Sequence, residues 1–110
     1  MKLTRASLLA LCLLLVWLSA CEINKYNSAE DHYNNQRYAA AIQELDDYIR
    51  TGRNGGLITR SEILRARCYY ELGLLAMQRE SWDLAIRFLK LSNSAESDQA
   101  LGRLYKELAV

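Results

Sequence analysis

The chain has 110 residues, with 14 Lys and Arg, 13 Asp and Glu, one histidine, three cysteines and no proline. A formal charge of +1 supplies no global field to draw nucleic acid. A single histidine leaves histidine-based metal sites and Ser-His-Asp triads without their parts, and the length allows one small domain that buries about 60–65% of its unfolded surface.

Lys2 and Arg5 open the chain, and residues 8–18 form an unbroken apolar run before Ser19, Ala20 and Cys21. Crossing about 30 Å of hydrocarbon takes roughly 20 apolar residues, so this run is too short to span and reads as a secretory signal peptide. Leu18-Ser19-Ala20-Cys21, placed directly after the run, closely resembles the lipobox of bacterial lipoproteins. The resemblance implies cleavage just before Cys21, a diacylglycerol on its thiol and an acyl chain on its new amine. Each buried methylene of such chains contributes about 0.8 kcal/mol to anchoring. The resemblance further implies the periplasmic face of the outer membrane, because Glu22 and not Asp follows the cysteine. An ordinary cleavage site beside an incidental cysteine and an uncleaved signal anchor are the alternatives.

On this reading residues 1–20 are the signal peptide, 21–25 the lipidated N-terminus and short tether, and 26–110 a helical domain. Loss of Lys2 and Arg5 takes the formal charge from +1 to −1. Cys12 departs with the signal and Cys21 becomes a thioether, which leaves Cys68 as a free thiol and a candidate small buried hydrophobe. A tether of about five residues reaches about 18 Å at full extension, so the domain lies close to the membrane surface.

Leu, Ala, Glu, Arg and Gln dominate the rest of the chain, so helix propensity is high throughout. The pattern predicts an all-α fold of about five helices, over residues 26–33, 38–50, 59–78, 82–91 and 95–109. Ala41, Ile42, Leu45 and Ile49 form one apolar stripe on the second. Thr59 and Glu62 have the spacing of a capping box at the start of the third, and Ser81 stands where it can cap the fourth. Leu101, Leu104, Tyr105 and Leu108 share a side of the fifth. The loop TGRNGG, residues 51–56, separates the second and third helices, with Gly52 placed to end a helix in the left-handed conformation. Asn34-Asn35 and Ser92-Asn93-Ser94 are weaker turns. The third and fourth helices are apolar around much of their circumference, which places them inside a stack.

Tyr69-Tyr70-Glu71-Leu72-Gly73 is followed twelve residues after Gly73 by Ala85, then Ile86 and Leu89, with Trp82 three before Ala85. Upstream, Ala29 precedes Ala41 by twelve, with Tyr38, Ile42 and Leu45 around it; downstream stands Leu101-Gly102-x-x-Tyr105. This pattern resembles the tetratricopeptide repeat, in which a small residue on a first helix lets a second helix approach. Ala29, Gly73 and Gly102 are 44 and 29 residues apart, whereas the family repeats at about 34. The family's closing proline is missing, and Lys25 stands where its first helix carries an aromatic. The match therefore amounts to antiparallel helix pairs stacked as about two and a half degenerate repeats. An irregular helical bundle is the alternative.

The resemblance implies protein binding on a concave face lined by first helices. Carried over position by position, that face holds Tyr26, Glu30 and Tyr33, then Arg67, Tyr70, Leu74 and Met77. Tyr, Arg and Met are common interface anchors. Tyr26 and Glu30 replace the Lys and Asn of the family's carboxylate clamp, which argues against binding of chaperone tails. Arg50, Arg53, Arg60, Arg65 and Arg67 form a basic segment with only Glu62 among them, suited to a solvated surface or to lipid phosphates and acidic partners. Arg67 and Glu71 are spaced to pair on a helix.

No catalytic set or phosphate loop stands out: Asp46 and Asp47 diverge by about 100° on a helix, and TGRNGG precedes no G-K-S/T. No cofactor is expected beyond the lipid on Cys21, and no metal or small-molecule substrate. The expected function is non-enzymatic: a membrane-anchored adaptor for envelope proteins at the same membrane. By resemblance, such proteins serve as accessory or assembly factors of a secretin, a pilus or secretion apparatus, or barrel-insertion machinery. A permanent structural subunit of such a machine is the alternative, and a small cell-wall enzyme lacks the residues it needs.

Overall fold

The computed structural model describes residues 5–109. Lys2 lies outside the described residues, as do the side chains of Leu18 and Ser19. The described chain is all-α, in five helices: α1 Arg5–Asn34, α2 Tyr38–Thr51, α3 Gly55–Gln78, α4 Trp82–Ser92 and α5 Ala95–Leu108. Each packs on the next in sequence, and α1 also touches α3, so helix pairs stack in a layer. Short connections of this kind give antiparallel neighbours.

The first helix departs from expectation. It does not begin near residue 26 but runs unbroken from Arg5, through Cys21, to Asn34. Leu8, Leu9, Leu11, Leu13, Leu14, Leu15, Val16 and Trp17 on its free half are all at least half exposed, and the molecule measures 77 × 22 × 15 Å. The five residues from Cys21 to Tyr26 are helical, so they rise about 7.5 Å instead of reaching about 18 Å.

The α2 stripe buries Ala41, Ile42, Leu45 and Tyr48; Ile49 is only half-buried, and Tyr48 takes the place expected for it. Gly52 is extended, with φ −69° and ψ 156°, and not left-handed. Its glycine has a different cause. A Cβ there would lie 2.6 Å from the Tyr48 carbonyl oxygen and 2.7 Å from its ring. The third helix begins four residues before Thr59, because Asn54 supplies the cap first: its Oδ1 accepts from the Leu57 amide at 3.1 Å. Asn is as good a cap as Thr, and Leu57 anchors that turn in the core. Thr59 instead donates its hydroxyl to the Gly55 carbonyl at 3.1 Å.

Ser81 occupies the position before α4 without a side-chain capping bond. The turn is made by Glu80 at φ 57°, and the Ser81 amide donates to the Ala76 carbonyl at 2.9 Å. Gln36 and Asn93 adopt the same left-handed geometry at the other two turns. Ser94 caps α5 by accepting from the Ser97 amide at 3.2 Å. Ser92 donates to the Ala66 carbonyl at 2.6 Å, which ties the end of α4 to the middle of α3.

The core falls into two clusters. The larger joins Tyr26 and Ala29 of α1 to Ala41, Ile42, Leu45 and Tyr48 of α2 and Leu57, Leu64 and Cys68 of α3. The smaller joins Ala76, Ala85 and Leu104, flanked by Met77, Trp82 and Ile86. Between them Gly73 meets Leu89, where an added Cβ would be 2.7 Å from the leucine Cδ2. Gly102 has no such role: it is exposed, with nothing within 4 Å of an added Cβ.

Candidate functional site

A groove of about 700 Å³ opens where the end of α1, the first half of α3 and the α4–α5 turn converge. Of the seven expected contact residues, Tyr33, Arg67 and Tyr70 line it together. Tyr33 is held edge-on to Tyr38, with ring centroids 5.6 Å apart and planes at 63°. Burial, and then the charge of Glu71, push the Tyr33 hydroxyl above its ordinary pKa, so it stays a neutral donor. Arg67 is exposed and forms no ion pair with Glu71 within 4 Å. Its neighbour Arg65 is committed, with Nη1 2.7 Å from Asp46 Oδ1 across the α2–α3 contact.

The other expected contact residues stand elsewhere. Tyr26 belongs to the core, only 8% exposed, with the Arg60 guanidinium carbon 4.8 Å over its ring. Glu30 and Leu74 are half-buried and outside the groove. Met77 packs against the smaller core cluster. Sequence reasoning missed Ile63 and Leu91, which face the groove and are 54% and 57% exposed. Apolar residues that fit no single stripe on α3 and α4 were the available signal, since such residues either enter a stack or line a groove.

Outside the groove, polar contacts tie α1 to α2. Arg37 Nε donates to His32 Nδ1 at 2.9 Å, and His32 Nε2 lies 3.4 Å from Glu44 Oε1, which also accepts from Ser28 at 3.1 Å. The histidine is thus a bridge from α1 to α2. Asp46 and Asp47 are not simply solvated: Asp47 meets Arg50 at 2.8 Å and Lys25 at 3.7 Å. The Arg50 hydrogen bond, followed by the charges of Lys25 and Arg50, holds the Asp47 carboxyl below its usual pKa.

Cys21 is exposed on α1, whereas Cys68 is buried. Burial pushes the Cys68 thiol up to about 11, which makes it a poor nucleophile at neutral pH. Among the described residues no three His, Cys, Asp or Glu side chains gather to hold a metal ion. The arrangement offers shape, aromatic rings and the Arg67 guanidinium, which has no ion-pair partner among the described residues, and these suit recognition.

No protein-family model matches the chain, and neither a curated protein nor a solved structure does.

Proposed function

We propose that the protein is a bacterial lipoprotein, anchored through acyl chains on Cys21 at the periplasmic face of the outer membrane, that binds another envelope protein in the Tyr33–Arg67–Tyr70 groove. The observation that carries this reading is the groove itself, with two tyrosines and an unpaired arginine beside exposed Ile63 and Leu91. Tyr and Arg side chains beside exposed apolar ones are frequent anchors of protein interfaces. The lipobox-like tetrapeptide and the exposed apolar run before it support the anchor. The partner is a component of an assembly at the same membrane, such as a secretin, a pilus or secretion apparatus, or barrel-insertion machinery.

A second reading is favoured by one feature, the unbroken passage of α1 through Cys21. Taken whole, α1 is long and apolar enough, by length and composition, to be a candidate membrane span, which fits an uncleaved signal anchor. Affinity capture of the tagged protein from gently cross-linked envelopes tests the adaptor function, with Cys21→Ser and Tyr70→Ala run alongside. The adaptor reading expects one membrane complex with the wild type, depleted by each variant. Recovery of the same soluble proteins by all three would sink it.

A further inference from the structure

The end of the bundle beside Cys21 is basic and is fixed to α1 at three points. Glu22 Oε1 accepts from the Arg53 backbone amide at 2.9 Å. Lys25 Nζ lies 3.7 Å from Asp47 Oδ2, and Arg60 covers Tyr26. The residue directly after Cys21 is therefore bonded to the α2–α3 loop. Arg50 and Arg53 both stand exposed at that loop, with Lys25 and Arg60 flanking them. Asp47 is shared by Lys25 and Arg50, and Arg53's guanidinium has no ion-pair partner among the described residues. The carboxylates at this end are Glu22, Asp46 and Asp47, and Asp46 is taken by Arg65 at 2.7 Å, so Lys25, Arg50, Arg53 and Arg60 leave positive charge in excess. Exposed Ile23 sits beside it, 48% accessible.

We infer that this loop end is a phosphate-binding face that rests on the headgroups of an anionic phospholipid leaflet, with Arg50 and Arg53 as its principal contacts. The inference rests on the proposed membrane attachment but not on its chemistry. Whether Cys21 carries acyl chains or α1 continues into the bilayer, the apolar run ends at Leu18, so position 21 lies at the interface. The Glu22–Arg53 bond then holds the loop within one side-chain length of it. Arginine's planar fork suits bidentate phosphate contact, and basic clusters immediately beside a membrane segment are drawn to anionic lipid. Such seating would fix the bundle's orientation and leave the groove, farther along α1 and α3, turned away from the lipid.

The test is hydrogen exchange of the full-length protein, purified from membranes and reconstituted into vesicles of phosphatidylcholine with or without phosphatidylglycerol. Amides of residues 52–57 should exchange several-fold more slowly with the anionic lipid, and high salt should erase the difference. The double variant Arg50→Gln/Arg53→Gln should lose the slowing, while amides at the far α3–α4 turn remain unchanged in every case. Equal exchange in both lipids, or slowing that persists in the double variant, would overturn the headgroup contact while leaving the anchor intact. Failure of the wild type to float with either vesicle would overturn the membrane attachment and the headgroup contact together.

Discussion

Leu89 of α4 packs directly onto Gly73 of α3, so closely that a methyl group on Gly73 would sit 2.7 Å from its Cδ2. Leu89 is fully buried, so it has little room to yield. The twelve-residue spacing from Gly73 to Ala85 marked this contact in the sequence, although the side chain met is Leu89, four residues later.

Two alanine substitutions should therefore act with opposite sign. Gly73→Ala should destabilise by about 1–2 kcal/mol, because overpacking of a tight helix contact outweighs the gain in helix propensity. Gly102→Ala, in open space on α5, should stabilise by about 0.5–1 kcal/mol. Urea unfolding of the two variants beside the wild type measures both. Stabilisation by Gly73→Ala would show that α3 and α4 are not in close contact.

Tyr26 and Tyr70 should separate in the same way between stability and binding. Tyr26→Ala removes a buried ring and should cost about 3 kcal/mol, with its effect on the partner following from unfolding. Tyr70→Ala is half-exposed in the groove and should leave the melting temperature within a few degrees while abolishing capture. Thermal melts paired with the capture assay decide this. Loss of capture by a well-folded Tyr26→Ala protein would place the contact surface elsewhere.

Alkaline pH should weaken the fold. Burial raises the Cys68 thiol from 9.0 to about 11, and it also raises the Tyr33, Tyr38, Tyr48 and Tyr69 hydroxyls. The unfolded chain gives up these protons first, so stability is whole below about pH 9 and falls as pH climbs toward 11. The thiol alone contributes up to about 3 kcal/mol of that loss. Melting temperatures at rising pH should decline more steeply for the wild type than for Cys68→Ala. Parallel declines would mean that Cys68 ionises as freely in the native protein as in the unfolded chain.

The short helices were the most legible part of the sequence. The α2 stripe follows from apolar spacing, and Ser94 caps α5 at a turn read from Ser92-Asn93-Ser94, but the buried side of α5 is Ser97, Ala100 and Leu104, with Tyr105 and Leu108 exposed. The breaks around Asn34-Asn35 and before Ser81 were legible, but not their geometry, because the left-handed residues there are Gln36 and Glu80 and not the Gly or Asn that would have signalled it. Gly52 was legible as a special position but for the wrong reason, since what it needs is space for the Tyr48 ring. The start of α1 was hidden because one helix serves two environments. Its first half is apolar all round and its second half faces a core, so no single periodicity runs through it. The groove was partly legible: Tyr33, Arg67 and Tyr70 came from the resemblance to the tetratricopeptide repeat, whereas Tyr26 is turned inward by the packing of α1 on α2 and α3.

The most direct measurement is the intact mass of the protein extracted from bacterial membranes, with Cys21→Ser alongside. Lipid anchoring predicts a chain beginning at Cys21 and carrying a diacylglycerol and an acyl group, and a variant that loses this form. A wild-type chain that retains Met1, or one cleaved at Cys21 without lipid, would contradict it.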